Sequence, residues 1–110
     1  MARNLVLTDK VTIASSGTAS TALTLQGGRI PLAILTPAAL TGTEFKFQAS
    51  IDGNNFFALY NGATELAITV NTSRYIALNP DIFASVRYLK IISGSSESAA
   101  RDIYVISGEV

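Results

Sequence analysis

Any acid–base chemistry in this sequence would have to rest on carboxylates or lysines, because the chain contains neither His nor Cys. Without these residues there is no imidazole base, no thiolate nucleophile, no disulfide framework and no zinc–thiolate site. Two groupings bring a carboxylate close to another charged group in sequence. Asp9 stands beside Lys10, and Glu97 lies a short way from Asp102 across a serine-rich stretch. A working pair of carboxylates needs a cleft and one partner with a raised pKa, and nothing around these residues signals either. Asp52-Gly53-Asn54-Asn55 has the oxygen-rich look of a calcium loop. It lacks the spaced carboxylates and the closing Glu of an EF-hand. Turn chemistry accounts for it, since Asp and Asn tolerate positive φ and Gly prefers it. Gly27-Gly28 is not a phosphate loop: no Gly-Lys-Ser/Thr follows, and no helix begins there.

Aromatic and basic residues are the remaining candidates. Phe56, Phe57 and Tyr60 flank the Asp52–Asn55 turn and could stack on a sugar or pack against a partner. Tyr75, Tyr88 and Tyr104 fall within strands. Trp, the commonest sugar-stacking residue, is absent. Strict alternation turns one of Phe56 and Phe57 outward. Arg74, Arg87 and Lys90 could form a basic patch, and Arg29 and Arg87 could equally rim an interface, where Arg is favoured. Leu5, Val6, Leu7 and Val11 form an apolar N-terminal segment suited to strand addition on a neighbour. The residues thus point to partner binding through Leu5, Val6, Leu7, Val11, Phe56, Phe57 and Tyr60, with no catalytic, cofactor or metal residue.

The elements that must carry these residues have period two. Phe45, Phe47 and Ala49 alternate with Glu44, Lys46 and Gln48. The same rhythm runs through Val11 and Ile13, Leu23 and Leu25, Leu66, Ile68 and Val70, and Ile76 and Leu78. Val86–Ile92 and Ile103–Ile106 are partly apolar on both faces, which predicts central strands or a subunit contact. Arg29–Thr36 is a further strand. Asp52–Asn55, Asn61-Gly62 and Asn71-Thr72-Ser73 are three hairpin signals. Pro37–Leu40, capped by Thr36, and Pro80–Phe83, led by Asn79, each have room for one helical turn. Ser93–Ser98 reads as a flexible polar loop. About nine short strands with no helical period between them predict an all-β, antiparallel β-sandwich of jelly-roll or Ig-like type. It forms a single domain over residues 21–110, and residues 1–20 read as a long loop, a first strand or an arm that reaches a neighbour.

Composition narrows the function classes. The 110 residues are 48 % hydrophobic and 15 % charged, with zero formal net charge. The chain is too apolar for disorder and lacks the basic excess that phosphate binding needs, so nucleic acid is not an expected partner. Low net charge gives little protection against self-association. No apolar run approaches the roughly 18 residues of a membrane span. Leu5-Val6-Leu7 is too short for a signal-peptide core, which implies a protein made in a cytoplasm.

One long stretch resembles a known group. Thr36-Pro37-Ala38-Ala39-Leu40-Thr41-Gly42 runs into Phe45-Lys46-Phe47-Gln48-Ala49-Ser50-Ile51-Asp52-Gly53. Leu59-Tyr60, Arg74-Tyr75-Ile76-Ala77-Leu78-Asn79-Pro80 and Phe83-Ala84-Ser85-Val86-Arg87-Tyr88-Leu89-Lys90 follow in order. This is similar to small β-sandwich structural proteins of tailed bacteriophages, over roughly residues 27–110. Members of that group often carry Trp where Leu40 stands here, which weakens a sugar-stacking role. The resemblance implies a non-enzymatic virion component, a capsid decoration (cement) protein that binds the major capsid protein on the outer head surface. Such a protein would be a homo-oligomer, made in the host cytoplasm, with no nucleic acid or membrane partner. The alternatives are a glycan-binding module of a head fibre or tail, and a neck or tail adaptor.

Overall fold

The computed structural model describes residues 6–25 and 28–108. Along the chain lie β1 (Val6–Ile13), β2 (Leu23–Thr24), β3 (Ile30–Leu35), β4 (Glu44–Ser50), β5 (Phe57–Ala58), β6 (Tyr60–Asn61), β7 (Thr64–Glu65), β8 (Ala67–Thr69) and β9 (Tyr75–Ala77). The short helix α1 (Pro80–Phe83), β10 (Tyr88–Ser93) and β11 (Arg101–Gly108) complete it. One sheet has the order β1-β11-β3-β9, and a second has β2-β10-β4-β5 with β8 also on β4. β6 and β7 form a separate two-stranded ribbon. Every pairing is antiparallel. The expected all-β antiparallel fold in one domain is what the chain adopts.

Alternation decides which side chains meet between the sheets. Val11 and Ile13 of β1, Ile34 of β3, and Ile103 and Val105 of β11 come from one side. Phe45 and Phe47 of β4 and Leu89 and Ile91 of β10 come from the other, and all belong to one buried cluster. Phe83, the last residue of α1, packs edge-on against Phe47, with ring centroids 5.2 Å apart, a favoured aromatic geometry. The two runs that are apolar on both faces are central: β11 lies between β1 and β3, and β10 between β2 and β4. Pro31 sits inside β3 without breaking it because the register with β11 shifts between Ile106 and Ser107. A bulge is where a sheet tolerates a residue lacking an N–H.

Two of the three hairpin signals hold. Asp52–Asn55 joins β4 to β5, pairing Ala49 with Phe57. Gly62, at φ +66°, turns β6 into β7. The third differs: after Asn71–Ser73 the chain leaves the second sheet at β8 and enters the first at β9. Turn residues specify a local reversal but not which sheet receives the next strand. Thr36 differs as well and caps no helix. Buried at the end of β3, its hydroxyl donates to the Asn71 carbonyl (2.6 Å) and accepts from the Arg74 N–H (2.7 Å). Thr36→Val keeps the shape and strands both partners, so a loss of about 1–3 kcal/mol in urea unfolding is expected. Asn79 behaves as expected, accepting from the Asp81 N–H ahead of Pro80.

Of the alternatives for residues 1–20, the described part forms a first strand within the chain's own fold. Val6–Ile13 pairs residue by residue with Gly108–Arg101 in the chain's own sheet. Val11 and Ile13 supply buried apolar side chains that only the core can satisfy. The following segment is also held, by bridges between Ile13 and Ser20 and between Ala19 and Ile92.

Candidate binding surface

The carboxylates come first, because they alone could have made a catalytic site. Glu97 is 0 % exposed. Its Oε1 accepts from the Thr41 N–H (2.8 Å) and Arg101 Nε (2.9 Å), and its Oε2 from the Gly42 N–H (2.9 Å) and the Ser93 hydroxyl (2.7 Å). Burial alone raises its pKa. The hydrogen bonds from Thr41, Ser93, Gly42 and Arg101 outweigh this and hold the carboxyl at about 2. A general base needs a free lone pair and a pKa near the working pH, and Glu97 has neither. Its backbone is fastened too: the carbonyl accepts from the Ser16 N–H (2.7 Å), and its own N–H donates to Gly17 (2.9 Å). Glu97 thus ties three loops together at one end of the fold, so the stretch expected as a flexible loop is anchored at its centre.

Asp102 is not paired with Glu97. It accepts from the Thr12 hydroxyl (2.7 Å) and lies 3.9 Å from Lys10 Nζ. Asp9 bonds to Arg29, whose guanidinium also reaches the Ser107 hydroxyl, both at 2.9 Å. Asp52 spends its oxygens on its own turn, accepting from the N–H groups of Asn54 and Asn55, from Asn55 Nδ2 and from the Ser50 hydroxyl. These bonds, the Asn55 N–H first, pull its pKa well below the usual carboxylate range. A cation there would have to displace donors that the hairpin already provides. Among the described residues no three metal-ligating side chains cluster.

The predicted binding residues do not form one site. Leu5 lies outside the described residues. Val6 and Leu7 are exposed on β1, and Val11 is buried in the core, so Val11 cannot meet a partner. Phe56 lies under Lys90, whose Nζ sits 4.4 Å from the ring centroid. Phe57 is the more exposed of the two at 70 %, beside Ile51 at 80 %, although its pairing with Ala49 sets it at the open edge of the sheet's inner side. It borders a shallow hollow with Ala49, Leu59 and Val86. Tyr60 is exposed on the β6–β7 ribbon. Of the basic residues, Arg74 precedes β9 in the first sheet, while Arg87 and Lys90 belong to the β10 segment of the second. Arg29 and Arg87 share the wall of an open hollow that no described carboxylate lines.

A more extended surface lies on the outer face of the first sheet. Register sets Lys10, Tyr104, Leu35 and Tyr75 in one row across all four strands, with Thr8, Ile106, Ala33 and Ala77 in the next. Tyr75 is 68 % exposed, and Tyr104, Leu35 and Val6 are also open. Val6, Leu35, Tyr75, Tyr104 and Ile106 line one shallow apolar depression. With strands about 4.8 Å apart, the band spans roughly 15 Å. The alternation held a signal for it: Tyr104 sits out of phase with the core residues Ile103 and Val105, and Tyr75 with Ile76, which packs against the core. What alternation could not supply was the strand order that sets them side by side.

No helix among the described residues is long and apolar enough to cross a membrane. No family model and no curated protein matches the chain. In three dimensions it is similar to the crystal structure of the SPBc2 prophage-derived protein YomS, with TM-score 0.59 and 16 % identity over 99 % of each chain. That likeness establishes a shared fold for the whole chain.

Proposed function

We propose that this protein is a non-enzymatic structural component of a tailed-phage virion, a capsid decoration protein that binds the major capsid protein on the outer head surface and stabilises the shell. The observation that carries the reading is the apolar band of Leu35, Tyr75, Tyr104 and Val6 on a sheet face. Exposed apolar patches rimmed by polar residues mark protein-interaction sites. A rigid sheet presents such a band at little entropic cost, and repetition over a lattice turns modest contacts into strong attachment. The fold shared with a prophage-derived protein and the sequence resemblance to tailed-phage structural proteins support the same reading. The protein acts on the virion surface as a homo-oligomer, without cofactor, nucleic acid or membrane.

Co-sedimentation with mature heads stripped of the protein tests this. Saturable binding at a copy number comparable to the capsid subunits is expected, with a raised melting temperature of the heads. No binding, or a handful of copies per particle, would overturn the decoration role and favour a neck or tail position. The exposed ring of Phe57 favours one second reading, a glycan-binding module of a head fibre or tail. It requires sugar binding that Phe57→Ala abolishes.

A further inference from the structure

β1 has one edge on β11, and over its first half the other edge has no strand among the described residues. Which backbone groups face that edge follows from Thr12. Its N–H bonds to the Thr21 hydroxyl and its carbonyl accepts from the Thr21 N–H, so both point away from β11. The β1–β11 register runs from Val6 to Ile13 without a shift. Residues of the same parity, Val6, Thr8 and Lys10, therefore direct their N–H and C=O groups to the same open edge. An open edge of this kind is a template for another strand.

We infer that the β1 edge pairs antiparallel with β1 of a second copy, with Thr8 opposite Thr8 on a two-fold axis. This deepens the homo-oligomer part of the proposed function and is independent of the capsid part. Charge favours this occupant and limits how far the axis can move toward the C-terminal half of β1. With Thr8 at the axis, Lys10 falls opposite Val6 and Asp9 opposite Leu7, so no like charges face each other. Moving the axis to Asp9 sets two carboxylates opposite, and moving it to Lys10 sets two ammonium groups opposite, which destabilises a pair. Moving it further runs into Thr12, whose edge Thr21 already occupies. A chain of zero net charge also opposes no long-range repulsion to its own copy. Directly paired residues point to the same side, so the outer faces of both copies join into one eight-stranded surface and the two apolar bands become continuous.

Sedimentation equilibrium and amide exchange test the pairing. The chain is expected to reach twice its 11.6 kDa mass as concentration rises, with the Val6, Thr8 and Lys10 amides protected in the dimer. Thr8→Pro removes an N–H that β11 does not use, a position where a sheet edge accepts Pro. It should weaken self-association at least ~10-fold with an unchanged far-ultraviolet spectrum. Thr8→Lys keeps every N–H but places two ammonium groups at the axis, and should do the same, whereas Thr8→Val should preserve the dimer. A chain still monomeric at about 1 mM, a dimer with freely exchanging Val6, Thr8 and Lys10 amides, or a dimer indifferent to both disruptive variants would overturn the inference. Protection of these amides only on phage heads would assign the edge to a capsid strand and overturn it too. A dimer that fails to bind stripped heads leaves this inference standing and removes the capsid reading; a monomer that binds them does the reverse.

Discussion

Glu97→Ala is expected to bring the protein close to unfolding at neutral pH. The substitution removes the acceptor shared by the Thr41 and Gly42 N–H groups, the Ser93 hydroxyl and Arg101. The Arg101 side chain is only 13 % exposed, so its charge stays largely out of water without a carboxylate. Breaking a buried pair by removing one partner costs about 3–5 kcal/mol, against a total stability of roughly 5–15 kcal/mol for an ordinary domain. Space adds to the constraint. A Cβ at Gly42 would run into the Ser93 hydroxyl and approach Glu97 Oε2, so a glycine is what lets the backbone close over the carboxylate. A urea midpoint for Glu97→Ala within error of wild type would show that the cluster is dispensable.

The same carboxylate makes stability depend on pH, in a direction its pKa fixes. Glu97 is held at about 2 in the fold, against an ordinary 4.5. A carboxyl depressed by folding contributes fully above its unfolded value and loses that contribution as pH falls through the folded one. The contribution is about 3 kcal/mol at neutral pH. The melting temperature should therefore hold from neutral pH to about pH 5 and drop between pH 4.5 and 2. Asp52, depressed by its own turn, adds a fall in the same direction. In Glu97→Gln the Asp52 part should remain while the Glu97 part disappears, so the variant and wild-type curves converge toward pH 2.

Glu97 also marks where sequence reading runs out. The strands were legible because burial writes period two directly into the chain, as Phe45 and Phe47 against Glu44, Lys46 and Gln48. The centrality of β11 and β10 was legible because both faces of a central strand need apolar residues. Asn79-Pro80 and Asp52–Asn55 were legible because their chemistry closes within a few residues. Glu97 was not. Ser93 and Arg101 are local, but the two backbone donors lie 55 and 56 residues away at Gly42 and Thr41, and a glutamate among serines looks solvated until the fold encloses it. The fate of Asn71–Ser73 and the use of β1 were hidden for a related reason. Local patterns say that a strand or a turn exists, whereas tertiary pairing decides which edge or sheet it joins. The candidate site was half legible. The out-of-phase Tyr75 and Tyr104 were visible, but their adjacency rests on Leu35 standing between them, and only strand order provides that.

Tyr75→Ala combined with Tyr104→Ala is expected to abolish head binding while leaving the fold intact. The rings belong to one cross-strand row, separated by Leu35, and Tyr75 is mostly exposed. Truncating exposed side chains away from caps, networks and cores changes stability by only about 0.5 kcal/mol each. At an interface the same rings are the type that dominates affinity, at roughly 2 kcal/mol or more apiece when a partner desolvates them. The pair should therefore cost at least ~100-fold in affinity for stripped heads, with a urea midpoint near that of wild type. Phe57→Ala is the internal control, because Phe57 lies on the β4–β5 hairpin of the other sheet and should leave head binding unchanged. The reverse pattern, with Phe57→Ala releasing the protein and the tyrosine pair silent, would move the contact to the second sheet. Equal loss from both would mean that each molecule is held on two sides, as a protein wedged between capsid subunits would be.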